Sequence, residues 1–140
     1  MARLKQKGLQ SIDGQGALRL FQDPRYEQEL VVFVDARGES HYLEGHIPGA
    51  LQFDRYYPEK YLPAVVAACI SAQKVVVYCT GGDCEDSEFA ALALKDAGVP
   101  AGLLVIYAGG MTDWTAKGWI TEIGARKSGN LRGAKEQIRK

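Results

Sequence analysis

Residues 74–94 read KVVVYCTGGDCEDSEFAALAL, and this stretch decides the fold of the chain. The continuous apolar run at residues 75–78 is rich in β-branched side chains and predicts a buried strand. Cys79 follows that strand directly. A thiol at the carboxyl end of a buried strand faces the crevice in which open α/β sheets bind ligands. Cys79 is therefore the candidate reactive group.

The residues after Cys79 predict a tight loop that leads into a helix. Gly81 and Gly82 favour the loop, and the apolar run at residues 89–94 predicts the helix, with Asp86 or Ser87 as its N-cap. Backbone N–H groups at such a helix start favour a nearby anion, either a thiolate or an anionic substrate.

Further strands and helices alternate along the rest of the chain. Apolar runs predict strands at residues 30–34, 50–53 and 103–107. Capping signals and helical spacing predict helices at residues 11–21, 40–44, 58–70 and 111–118. Strands that are apolar throughout and separated by helices predict an α/β fold, whose mostly parallel sheet is covered on both faces.

The chain has the size and composition of one domain. Its 140 residues are 46% hydrophobic and 24% charged, which is typical of a soluble globular protein. We expect the domain to cover residues 8–123 and residues 124–140 to form a basic C-terminal tail, with a marginal helix from Leu131 onward. The sequence lacks a signal peptide and a membrane span, so a cytoplasmic location is expected.

Charge and composition argue against several other classes of protein. Basic residues concentrate at the two ends and leave an acidic middle, so no nucleic-acid partner is expected. The three cysteines and two histidines lack the spacing of a metal site, so no metal or other cofactor is expected. Cys69 lies on the apolar stripe of its predicted helix and is expected to be a core residue.

Four separated motifs together resemble the rhodanese homology domain family. They are VVFVDAR (31–37), YLEGHIPGA (42–50), VVVYC (75–79) and YAGGMTDWTAKGW (107–119). Their order is that of the family, and they span nearly the whole chain apart from the two tails. The resemblance implies a three-layer α/β domain with a mostly parallel five-stranded sheet and helices on both faces.

The resemblance also implies sulfurtransferase chemistry. Cys79 matches the cysteine that accepts a sulfane sulfur from a small donor, becomes a persulfide, and passes the sulfur to a thiol or protein acceptor. Asp35 and Arg37 match the family's DxR motif and would support the active loop. His46 belongs to the GHIPGA turn and is expected to be a hydrogen-bonded structural residue.

The loop departs from the family's usual pattern. Thr80 follows the cysteine, Cys84 stands where an arginine is usual, and the loop is about two residues longer before Ser87. No Lys or Arg occurs between Lys74 and Lys95. The predicted substrate-binding loop consists of Thr80, Gly81, Gly82, Asp83, Glu85, Asp86 and Ser87.

The loop is also acidic, with carboxylates at Asp83, Glu85, Asp86 and Glu88. Like charges raise the pKa of a nearby thiol and repel a dianionic donor. Asp86 and Glu88 fall in the predicted first turn of the helix, where acids are favoured and are expected to point to solvent.

Cys84 leaves two interpretations open. It is either a resolving thiol that attacks an oxidised or persulfidated Cys79, or a buried loop residue that fills the space of the absent arginine. Three functions therefore compete: a sulfurtransferase using Cys79, a dithiol redox enzyme or sensor using both cysteines, and a non-catalytic binding module. A phosphatase or arsenate reductase is disfavoured, because those enzymes clamp the oxyanion with a loop arginine.

Overall fold

A computed structural model of the protein describes residues 8–82 and 84–133. The sequence-based expectations for Asp83 and for the charged side chains of the two termini lie outside these residues. The main sheet has five strands, all parallel, in the order β1-β5-β4-β2-β3. These strands are β1 (Gln10–Ile12), β2 (Val31–Asp35), β3 (Leu51–Gln52), β4 (Lys74–Tyr78) and β5 (Leu104–Tyr107).

Helices connect the parallel strands, as such strands require. They are α1 (Gly14–Gln22), α2 (Pro24–Glu27), α3 (Glu39–Glu44), α4 (Pro58–Cys69), α5 (Asp86–Asp96) and α6 (Gly110–Ala116). A short 3₁₀ turn, Ala101–Leu103, precedes β5. Along residues 8–82 and 84–133, no helix has both the length and the apolar character that crossing a bilayer requires.

Alternate side chains of the central strands enter two separate cores. One core packs β2 and β4 side chains against α4 and α5, and includes Val34, Val77, Val65, Ala90 and Leu94. The other packs the intervening side chains against α1 and α6, and includes Phe33, Val76, Phe21 and Trp114. Because both faces of the sheet are covered, the central strands β2, β4 and β5 are almost entirely apolar and buried, and the expected three-layer α/β fold is confirmed.

The first strand was missed in the sequence. Residues 11 and 12 were expected to begin a helix, but Gln10–Ile12 pairs in parallel with Val105–Tyr107 at the edge of the sheet. The helix begins only at Gly14, and the Asp13 side chain caps it by accepting a hydrogen bond of 2.8 Å from the Gly16 N–H. Three residues are too few for a periodic pattern, so pairing with β5 decides their conformation.

Residues 124–133 fold back on the domain. Two short antiparallel strands, β6 (Thr121–Glu122) and β7 (Leu131–Arg132), pair with each other. The helix expected from Leu131 onward is therefore wrong at its first two residues, because the pairing with β6 holds them extended. Arg126 Nε donates a hydrogen bond of 2.8 Å to the Gly49 carbonyl, which ties this segment to the GHIPGA turn.

A buried pair, His46 and Glu122, closes the GHIPGA turn. The His46 ring is fully buried, with Nε2 2.8 Å from Glu122 Oε1 and Nδ1 2.9 Å from the Tyr42 carbonyl. Both ring nitrogens therefore lie within hydrogen-bonding distance of an oxygen atom. The same Glu122 oxygen accepts a hydrogen bond of 3.0 Å from the Gly49 N–H. The structural role predicted for His46 is confirmed.

Glu122→Gln should lower the free energy of unfolding by about 2 kcal/mol at pH 7, because it removes a charged acceptor of buried hydrogen bonds. Burial opposes ionisation of Glu122, but the Gly49 and Lys127 N–H groups and His46 lower the pKa of this carboxyl from 4.5. Because the folded-state pKa of Glu122 is lowered, ionisation of this carboxyl adds to the free energy of unfolding. The contribution is complete above pH 4.5 and is lost as the pH falls through the folded-state pKa.

Urea denaturation between pH 3 and 7 (roughly the range in which carboxyl groups titrate) measures this difference. The difference in free energy of unfolding between the wild type and Glu122→Gln should become smaller below pH 4.5, the ordinary pKa of the carboxyl. Glu39→Gln, a change at an exposed residue, is the matched control and should leave stability nearly unchanged. A gap that stays constant with pH, or an equal loss in the control, would contradict this account of the turn.

Candidate active site

Cys79 follows β4, the strand at the centre of the sheet. Its neighbour Tyr78 lies opposite Asp35 of β2 and Tyr107 of β5 in the parallel registers. The Cys79 residue is only 2% exposed and belongs to the core on the α4 and α5 side. The Cys79 thiol thus lies at the carboxyl edge of the sheet, as the sequence predicted.

The turn before α6 holds the backbone of the cysteine loop. The Cys79 and Thr80 carbonyls each accept a hydrogen bond of 2.9 Å, from the Met111 and Thr112 N–H groups respectively. Gly81 lies against this turn with φ +115°, and a Cβ there would overlap the Gly109 carbonyl oxygen. A glycine is therefore needed at this position for both its conformation and its close approach.

The loop turns back and brings Cys84 to Cys79. The Cys84 N–H donates a hydrogen bond of 3.2 Å to the Gly81 carbonyl. The two sulfur atoms are joined as a disulfide, with the Cα atoms 6.6 Å apart. Cys84 is half-buried and packs against the core that contains Cys79. The two candidate catalytic cysteines therefore lie in direct contact.

The start of α5 adds a hydroxyl to this pair. The buried Ser87 lies with its Oγ 3.6 Å from the Cys79 sulfur, within hydrogen-bonding range for sulfur. The helix begins at Asp86, so Glu85 occupies the N-cap and makes no side-chain capping bond. The predicted cap at Asp86 or Ser87 is wrong by one or two positions, because those residues already belong to the first turn.

The carboxylates near the loop do not share one environment. Glu85 is exposed, Asp86 is half-exposed, and both Asp86 and Glu88 lie in the first turn of α5. Glu88 is only 4% exposed, so the expectation that it points to solvent is wrong. Glu88 therefore lies on the side of the first turn of α5 that packs against the rest of the domain. Among the other loop residues, Thr80 and Gly82 are exposed.

Asp35 and Arg37 bind each other and the GHIPGA turn. Arg37 Nη2 lies 2.7 Å from Asp35 Oδ2 and donates a hydrogen bond of 2.6 Å to the Gly45 carbonyl. Both residues are buried. These contacts hold the guanidinium between the Asp35 carboxylate and the Gly45 carbonyl. They also stabilise the end of β2, the strand beside β4. The support of the active loop by this pair stays a prediction.

Cys69 is separate from this site. It lies at the end of α4, is 2% exposed, and packs in the apolar core. Burial raises the pKa of its thiol to about 11, so it is almost entirely protonated at neutral pH. Within the described parts of the chain, no cluster of His, Cys, Asp or Glu side chains has the arrangement of a metal site.

One charged residue near the site was missed in the sequence. Arg55, in the connection between β3 and α4, has its Nε 3.0 Å from Asp86 Oδ1. Its guanidinium also lies 4.1 Å from the centroid of the Phe89 ring. A signal was available, since Arg55 follows a predicted parallel strand at residues 50–53, and carboxyl ends of parallel strands share one edge of the sheet.

Fold and site together define a class of protein: a parallel α/β domain that presents a cysteine in a loop between its central strand and a helix. The chain belongs to the rhodanese-like domain family, whose sequence model matches residues 18–117. A comparison with curated proteins gave no match.

Solved structures show the same fold. A Bacillus halodurans protein is 20% identical, with a TM-score of 0.64, and the match covers 87% of this chain and 82% of that one. A rhodanese-like domain from Anabaena is 24% identical, with a TM-score of 0.62 and coverage of 89% and 86%. An uncharacterised Saccharomyces cerevisiae protein is 21% identical, with a TM-score of 0.58 and coverage of 78% and 92%.

Gly81→Ala should destabilise the domain by at least about 2 kcal/mol more than Gly98→Ala, because only the first change also forces a steric overlap. Gly98 is the matched control, since its φ of +111° is close to the +115° of Gly81 but open space surrounds it. Thermal and urea denaturation of both variants measure the difference. Equal losses of stability in the two variants would contradict this account, because they would mean that the Gly81 loop does not depend on its close approach to Gly109.

Proposed function

We propose that this protein is a sulfurtransferase in which Cys79 carries a sulfane sulfur as a persulfide and passes it to a thiol acceptor. The observation that carries the proposal is the placement of Cys79 at the carboxyl end of the central strand, beside the Ser87 hydroxyl. A small donor and a thiol or protein acceptor are the partners. The chemistry requires no cofactor.

The first step loads the sulfur. The Cys79 thiolate attacks the outer sulfur of a persulfide or polysulfide, the S–S bond of the donor breaks, and a thiolate or shortened polysulfide leaves with the bonding electron pair. Cys79 then carries one additional sulfur atom. The Ser87 hydroxyl, 3.6 Å from the Cys79 sulfur, is positioned to donate a hydrogen bond to the thiolate. Such a bond favours the charged form of the nucleophile.

The second step unloads the sulfur. The thiolate of an acceptor attacks the outer sulfur, a new persulfide forms on the acceptor, and Cys79 leaves as a thiolate. No net oxidation occurs, because one S–S bond is made for each one broken. The carboxylates around the loop disfavour a dianionic donor such as thiosulfate more than a singly charged one, so persulfides and singly protonated polysulfides are the preferred donor class.

A second candidate function is a dithiol redox enzyme or sensor, and the direct contact of Cys79 with Cys84 favours it. The Cys84 thiolate would attack the inner sulfur of the Cys79 persulfide. A Cys79–Cys84 disulfide would form, and the outer sulfur would leave as hydrosulfide with the electron pair of the broken bond. An external thiol or dithiol must then reduce the disulfide.

Intact-mass spectrometry of the reduced protein after treatment with a polysulfide tests the proposal. Cys84→Ser should gain one sulfur atom, because the persulfide on Cys79 has no neighbouring thiol to resolve it. Cys79→Ser should gain none. Cys69→Ala, which removes the buried thiol outside the site, is the matched control and should behave like the wild type.

The wild type distinguishes the two candidate functions. A stable gain of sulfur that an added thiol removes supports sulfur transfer, whereas the loss of two hydrogen atoms supports the dithiol reaction. Equal sulfur uptake by Cys79→Ser would contradict the role of Cys79. No mass change in any variant would contradict both reactions and favour a non-catalytic binding module.

A further inference from the structure

The active loop contains no basic residue of its own, but the fold supplies one from elsewhere. Arg55 lies in the connection between β3 and α4, and Asp86 is the first residue of α5. Arg55 Nε and Asp86 Oδ1 are 3.0 Å apart. Asp86 directly precedes Ser87, whose hydroxyl lies 3.6 Å from the Cys79 sulfur. The guanidinium therefore lies beside the first turn of α5, the turn that carries Ser87.

Aromatic rings hold Arg55 in this position. Its guanidinium carbon is 4.1 Å from the centroid of the Phe89 ring and 4.6 Å from that of Tyr56. Nη2 donates a hydrogen bond of 2.6 Å to the Tyr56 hydroxyl. Cation–π contacts of this kind fix the position of a guanidinium without neutralising its charge. The two rings thus hold the guanidinium beside the first turn of α5.

The pairing with Asp86 leaves Arg55 able to bind a second anion. Nε is buried close to Asp86, yet among the described residues no acceptor forms an aligned hydrogen bond with it, so a second anion would approach the exposed part of the side chain instead. The two side chains are 30% and 34% exposed, so water weakens their attraction. The pair is monodentate, unlike the two-bond clamp between Arg37 and Asp35. An incoming anion competes readily for such a guanidinium.

We infer that Arg55 is a specificity-determining residue that attracts anionic reactants to Cys79 and replaces the cation absent from the loop. Its ligand class is a small sulfur-containing anion, such as a persulfide or a singly protonated polysulfide. This role rests on the proposed function, because it takes Cys79 as the reactive thiol. It also gives the acidic loop a means to accept negatively charged donors.

Alkylation of Cys79 tests this role without any sulfur transfer. The protein is reduced and carries Cys84→Ser, so that Cys79 is the only thiol at the site. The rate constants for iodoacetate, an anion, and iodoacetamide, its neutral analogue, are measured by peptide mass spectrometry. Their ratio reports the local electrostatic potential, whereas a change in thiol pKa or access alters both rates together.

Arg55→Gln should lower the iodoacetate-to-iodoacetamide ratio by about threefold, the size expected for one partly exposed charge. Arg55→Lys should keep most of the ratio, because it preserves the charge. Asp86→Asn should raise the ratio. Arg19→Gln is the matched control, an exposed arginine on α1, and should leave the ratio unchanged. High salt should reduce the effect of Arg55→Gln.

An unchanged ratio in Arg55→Gln, or equal falls in both rates, would overturn the inference, since the second result indicates a purely structural residue. Failure of the proposed function has a different signature. In that case Cys84→Ser takes up no sulfur from polysulfide, while Arg55→Gln still lowers the alkylation ratio. The two ideas are therefore tested independently.

Discussion

The loop that carries Cys79 is packed so tightly against the turn at Gly109 and Gly110 that no side chain fits between the two backbones. N–H groups at the start of α6 bind the carbonyls of Cys79 and Thr80, which fixes the first half of the loop. Its second half must then turn back toward α5. That constraint places Cys84 on Cys79, and the second candidate function, the dithiol reaction, depends on this contact.

Electrostatics around the site depend on residues that are distant in sequence. The loop and the first turn of α5 supply carboxylates, and the counterbalancing cation, Arg55, comes from the connection after β3. The parallel sheet makes this possible because the carboxyl ends of β3 and β4 lie along the same edge. In the same way, the buried Glu122 reaches the GHIPGA turn from the segment after α6. Both the surroundings of the cysteine loop and the GHIPGA turn are therefore completed by residues from distant parts of the chain.

Local patterns were sufficient to predict the central architecture. The apolar runs at β2, β4 and β5 identified the buried strands, and the position of Cys79 after β4 identified the candidate nucleophile. Contacts between distant segments could not be read in this way. Three-residue β1 has no periodicity, and the burial of Glu88 depends on the orientation of α5. The contact of Cys84 with Cys79 depends on how the loop turns back, so the sequence left both interpretations of Cys84 open.

The central claim is that Cys79 carries a sulfane sulfur and passes it to a thiol acceptor. A single turnover of reduced protein with limiting polysulfide, followed by addition of an acceptor thiol, tests it most directly. The account predicts that the wild type and Cys84→Ser each gain one sulfur on Cys79 and lose it as the acceptor becomes a persulfide, and that Cys79→Ser does neither. Equal transfer by Cys79→Ser, or a wild type that forms a Cys79–Cys84 disulfide and releases sulfide instead of passing its sulfur to the acceptor, would contradict it.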